Sequence, residues 1–180
     1  LIDAAFLNFV KTDIKNYFEK TLQRSLQEID LSLFTSYLTL DAGINEGKSE
    51  VQFLFVYDKE SRHLLHCQPS DLQEDLNGVA FQSPYGEFSF AGVPSEGMVS
   101  REDLFMDLLS VVSDSADVKR MIVVSFNEEY GKKVTDVLQG LKGKEVMQFR
   151  MNEPEIPVNY KWDMLAFPVM HSLGIRAEEL

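Results

Sequence analysis

The sequence predicts an α/β protein built on a mixed sheet, and three stretches carry that reading. Residues 120–151 read as strand, helix, strand. Residues 31–67 read as an antiparallel meander. Residues 3–27 carry a long helical stripe that would dock on the sheet. An α+β arrangement, with the two sheet portions separate, is the alternative.

The 120–151 stretch is the firmest. Residues 120–126 (Arg-Met-Ile-Val-Val-Ser-Phe) form an apolar, β-branched run suited to a strand covered on both faces. From Glu128 the spacing turns helical, with Tyr130, Val134, Val137, Leu138 and Leu141 on one side and Lys132, Lys133, Asp136 and Gln139 on the other. Gly140 and Gly143 end that helix, and Val146, Phe149 and Met151 mark a second strand. A strand that returns parallel to its predecessor does so through a right-handed crossover helix.

At the start of the chain, Leu7, Val10, Ile14, Phe18, Leu22, Leu26 and Ile29 trace one helical stripe, widened by Phe6 and Tyr17. Asp13, Asn16, Lys20, Gln23, Arg24 and Gln27 lie opposite. The stripe suits docking on a sheet better than a coiled-coil seam. Residues 31–40, rich in Leu, Phe, Tyr and Thr, and the apolar run 51–57 read as strands, and 63–67 as a short third strand. The 41–50 loop between the first two has the acids of a calcium loop but not its spacing, with Glu46 and Gln52 where Gly and Glu are needed. A hairpin with Gly43 and Gly47 supplying unusual backbone angles fits better.

Residues 69–78 read as a short acidic helix capped by Ser70 and stopped by Gly78. Glu87 to Ala91 alternates as a half-buried strand with Phe88 and Phe90 inward. Ser100 followed by Asp103 opens a helix carrying Leu104, Phe105, Leu108, Leu109 and Val112. The Pro-bearing 152–158 is an extended connection. Residues 160–167 are either a strand before a helix opened by Pro168, or a helix that Pro168 distorts.

One domain spanning 1–180 is expected, since 180 residues with 44% hydrophobic content can bury a full core without staples. A single Cys allows no internal disulfide, which fits a reducing compartment, so a cytoplasmic location is expected. The first residue is Leu rather than Met, and a targeting segment removed ahead of it would keep export open. No apolar run reaches the ~20 residues of a membrane span. The net charge of −12 argues against nucleic acid and anionic membrane surfaces as partners. Residues 41–118 hold 15 acidic and 4 basic residues, so the middle of the chain is either a solvated face or a site for a basic partner.

No motif specifies a reaction. The turn after the 120–126 strand has only Gly131 and places Glu128 and Glu129 where they would repel a phosphate. No G-x-S-x-G elbow precedes a helix. His63, His66 and Cys67 cluster in sequence, but a strand would send His63 and His66 to opposite faces, so no metal site is expected, and no cofactor either. The expected function is a non-enzymatic interaction module, with a protein partner or a second copy of itself. It would work through the acidic middle and an aromatic patch of Phe81, Tyr85, Phe88 and Phe90, for which core packing is the plainer explanation. The alternative is a small-molecule enzyme at the carboxyl ends of the parallel strands, where Ser125, Asn127, Glu128, Arg150, Asn152 and Glu153 would converge.

Overall fold

A computed structural model gives the fold and describes residues 1–44 and 49–180. The first strand, β1 (Ile2–Asp3), passes directly into α1 (Ala4–Leu22) because the Asp3 carboxylate accepts from the N–H groups of Ala5 and Phe6 and caps the helix. Gln23, at φ 54°, ends it in the left-handed region. Phe6, Leu7, Val10 and Ile14 are buried as the stripe predicted, whereas Tyr17 stands in solvent.

Residues 31–40 are not a strand. After β2 (Ile29–Asp30) they form α2 (Leu31–Asp41), whose buried positions Leu31, Phe34, Thr35, Leu38 and Thr39 follow helical spacing. The Asp30 carboxylate caps it at Ser32 N (3.0 Å), and the hydroxyls of Thr35 and Thr39 donate to carbonyls one turn back. Packing of one helical face thus overrides the β preference of Thr, Phe and Tyr. The 41–50 connection is therefore helix to strand rather than a hairpin. Gly43 has φ +85°, while Gly47, with the rest of 45–48, lies outside the described residues.

The 51–57 run is β3 (Ser49–Tyr57), but 63–67 does not pair with it. Instead β4 (Cys67–Gln68) runs parallel to β2, and the Asn8 side chain holds the preceding backbone, donating to His63 O and accepting from Leu65 N, each at 2.9 Å. The expected acidic helix is a single π-type turn, Leu72–Leu76, capped by Asp71 rather than Ser70. The chain then forms the antiparallel hairpin of β5 (Val79–Ser83) and β6 (Gly86–Pro94), and β6 lies parallel to β3 from Ser49↔Gly86 to Tyr57↔Pro94. Gly86, at φ +127°, is required there: a Cβ would stand 1.8 Å from Ser49 O.

Ser100 caps α3 (Arg101–Asp114) through Asp103 N at 3.0 Å, as the sequence pattern implied. The predicted βαβ unit follows as β7 (Arg120–Val123), α4 (Asn127–Gln139) and β8 (Glu145–Arg150), with β7 and β8 parallel. Residues 160–167 resolve as strand β9 (Lys161–Met164), parallel to β8, and then α5 (Ala166–Ser172), with Pro168 in the first turn where its missing N–H costs nothing.

The four strands β1-β3-β6-β5 and the three strands β7-β8-β9 join where Ile2 bridges Val124 in parallel, giving the order β5-β6-β3-β1-β7-β8-β9. The fold is α/β with a mixed sheet: among the described residues every pairing in this sheet is parallel except that of β5 with β6. One face carries α1, α2 and α5 over Phe53, Phe55, Phe88, Phe90 and Phe149. The other carries α3 and α4 over Val56, Met121, Val123 and Val146. Among the described residues no helix lies on that second face beyond α3, because the connection from β3 to the β5–β6 hairpin runs on the first face, where Leu64, Leu72 and Leu76 pack.

Candidate functional site

In an open parallel sheet the loops diverge at the point where the strand order reverses, leaving a crevice beyond the carboxyl ends of the two strands there. Here that point is β1, with β3 on one side and β7 on the other. The chain ends brought to it are Asp3 from β1, Asp58 just after β3, and 125–130 after β7.

Arg101, the first residue of α3, fills the crevice. Its Nε donates to Asp3 Oδ2 at 3.0 Å, its Nη1 to Asp58, and its Nη2 to both carboxylate oxygens of Glu129 at 2.6 and 2.5 Å. The guanidinium also lies over the Phe126 ring, 5.6 Å from its centroid. Tyr130 donates its hydroxyl to Asp3 Oδ2. It can do so because α4 is kinked at Tyr130, which takes φ −146° and ψ 26°. Asp3 is 0% exposed, with one oxygen committed to the α1 cap and the other to Arg101 and Tyr130.

A cation at the amino end of a helix opposes the helix dipole, so Arg101 is misplaced on local grounds, and the three carboxylates compensate. Burial works against its charge, yet Asp3, Asp58 and Glu129 together raise its pKa. Burial alone would push the Asp58 carboxyl up; hydrogen bonds from Ser61 and Arg101 outweigh it and hold Asp58 below the usual carboxylate range. Burial, and then the neighbouring Asp3, raise the Tyr130 phenol, which stays a donor at every ordinary pH. The cluster offers no free base and no activated nucleophile. Its oxygens already hold a cation that the chain supplies.

The residues expected to form a strand-end site lie at the carboxyl ends of β7 and β8, but in two separate groups. Ser125 is buried and donates to Asn127 Oδ1 at 2.6 Å, and Glu128 is exposed. Gly131 is needed because Asn127 packs against it, 2.9 Å from where a Cβ would stand. Arg150 turns inward, donating to Gln148 Oε1 at 3.1 Å and to Asn152 O at 3.0 Å, while Glu153 is exposed. Among the described residues no hydrogen bond joins the 125–128 group to the 150–153 group. Gln148, fully buried, accepts from Arg150 and from Tyr160 (2.9 Å), and its Nε2 has no partner among the described residues.

The aromatic patch is core. Phe88 and Phe90 are buried against Phe53 and Phe81, with ring centroids 5.1 to 5.6 Å apart, and Phe81 and Tyr85 are half-buried on the same cluster. His63 faces Asp71 at 3.9 Å, His66 adopts φ +56°, and Cys67 is buried. Among the described residues no three His, Cys, Asp or Glu side chains are placed to hold a metal ion. Nearby, Lys11 is 1% exposed with no hydrogen-bond partner for its ammonium among the described residues, and burial lowers its pKa to about 8. A shallow groove of about 640 Å³ between α3 and α4 is lined by Met98, Val99, Met106 and Val137 with acids and one Lys around them.

This is an α/β protein with helices on both faces of its sheet and, where the strand order reverses, an ion cluster made by its own side chains. The chain belongs to DUF6621, a family of unknown function, whose model matches residues 1–180. No curated protein and no solved structure matches it. No described helix is long and apolar enough to cross a membrane.

Proposed function

We propose that this protein is a non-enzymatic interaction module that engages another protein. The observation that carries the reading is the occupation of the strand-order reversal by Arg101 and its three carboxylates. A substrate entering there would have to break a saturated, partly buried ion cluster, and breaking such a pair on one side costs about 3–5 kcal/mol. The net charge of −12 and the acidic 41–118 segment favour a partner with basic surface.

The test is native mass spectrometry on the chain isolated from its own cells under mild conditions. The module reading expects a complex with a second polypeptide and no retained small molecule. A monomer carrying a stoichiometric small molecule, lost on substituting Asn127→Ala with Arg150→Ala, would replace it with the enzyme reading.

A further inference from the structure

A parallel sheet is ordinarily covered on both faces, because its strands bury side chains on each side. Here β3, β6 and β5 are covered on one face only. Opposite the aromatic core they present Leu54, Ala91, Val93 and Ala80 together with Gln52, Ser89 and Gln82, and Glu50 beside Glu87 at one end, all on one face because Leu54 pairs with Ala91, Val56 with Val93, Gln52 and Ala80 with Ser89, and Glu50 and Gln82 with Glu87. These residues are half-buried or exposed, although the neighbouring Val56 beneath α3 is fully buried.

The flank of α3 beside this face is apolar. With Phe105 and Leu109 pointing into the core and Glu102 turned toward Lys133 of α4, helical spacing sends Leu104, Leu108 and Val111 to the opposite flank, and Val111 is 65% exposed. The result is a step: a helix wall on one side and, beside it, a floor of small apolar residues interspersed with Gln52, Gln82 and Ser89. The floor is three strands wide, about 14 Å, and β6 is nine residues long, about 30 Å. One helix of about 20 residues matches both dimensions.

The charge at the rim selects the occupant. The described residues of β3, β5 and β6 include Glu50 and Glu87, cross-strand neighbours on this face, and no Lys or Arg, and the one Arg of α3 is consumed by the crevice. A second copy would set acid against acid. We infer that this uncovered face docks an amphipathic helix with Lys and Arg flanks from a partner protein, laid over β6 where a doubly wound sheet would carry its next crossover helix. The inference rests on the interaction-module reading and specifies its partner.

The experiment uses the full chain and a fluorescein-labelled helical peptide of about 20 residues, with a Leu/Ala stripe flanked by Lys and Arg, followed by anisotropy. A scrambled peptide of identical composition controls for charge alone. The double variant Ala91→Lys with Val111→Lys tests the face, and Asp13→Lys with Asn16→Lys on the opposite layer tests added positive charge elsewhere. The expected result is micromolar binding, weakened at least about tenfold by scrambling and by the face variant but not by the control variant. Equal binding of the scrambled peptide, or of the face variant and the control variant, would overturn the inference. Circular dichroism melts check folding, and Ala80→Lys, at an exposed edge position, carries the same test should the pair unfold the chain. A dimer in sedimentation that Ala91→Lys dissolves would overturn the helix and leave the module reading standing with a second copy as partner. No peptide binding together with a retained small molecule in native mass spectrometry would remove both.

Discussion

The Tyr130 hydroxyl donates to Asp3 Oδ2, a hydrogen bond spanning 127 positions of sequence. It ties the kink in α4 to the residue that ends β1 and caps α1. Tyr130→Phe removes one donor from a buried carboxylate that keeps its cap and Arg101. A loss of about 2 kcal/mol in urea unfolding is expected, with the fold retained. An unchanged midpoint would show that the bond contributes nothing net.

Arg101→Ala leaves Asp3, Asp58 and Glu129 facing one another without a cation. The expected loss is about 3–5 kcal/mol at neutral pH. In the wild type the lowered pKa of Asp58 contributes stability that is present above its unfolded pKa and lost as pH falls through the folded one. The gap between wild type and variant should therefore narrow in acid, as measured by urea midpoints at neutral and acidic pH. Added calcium should raise the variant's midpoint and not the wild type's, since a hard dication takes oxygen ligands.

Lys11 gives the opposite kind of pH dependence. Its pKa falls from 10.5 to about 8 on burial, so the cost of its buried charge is present below pH 8 and is relieved as pH rises toward the unfolded value. Cys67, raised by burial from 9.0 to about 11, works against this above pH 9. Stability should climb between pH 8 and 9. Lys11→Met should flatten that climb and stabilise the chain at pH 7 by up to about 3 kcal/mol, read from thermal or urea melts. A destabilised methionine variant would mean that the ammonium has a partner.

Gly86→Ala places a methyl group on Ser49 O at a backbone angle that L residues avoid. A loss above about 3 kcal/mol is expected, with the β5–β6 hairpin the first region to lose protection in hydrogen exchange. A mild effect would mean that β3 can slide away from β6.

The parts of the fold that were legible are those where local and tertiary preferences agree. The 120–151 βαβ unit, the Ser100 cap and the inward Phe88 and Phe90 all read from spacing alone. Residues 31–40 did not, because their composition favours a strand while their burial period is helical, and the Asp30 cap that settles the matter sits one residue ahead. The crevice cluster was invisible for another reason. Asp3, Asp58, Glu129 and Tyr130 each have a sufficient local role as cap, turn residue, first-turn acid or apolar stripe. Only Arg101, a cation opening a helix, violates its local preference, and that violation was the signal pointing to carboxylates elsewhere.

Between β1 and β7 the sheet is held by a short ladder in which Leu1 donates to Ile122, Val124 to Leu1 and Asp3 to Val124. Arg101 straddles this seam, gripping Asp3 and Asp58 on one half and Glu129 on the other. The cluster therefore acts as a rivet: it makes the melting of either half a cost to both, and so turns two sheets sharing an edge into one cooperative unit.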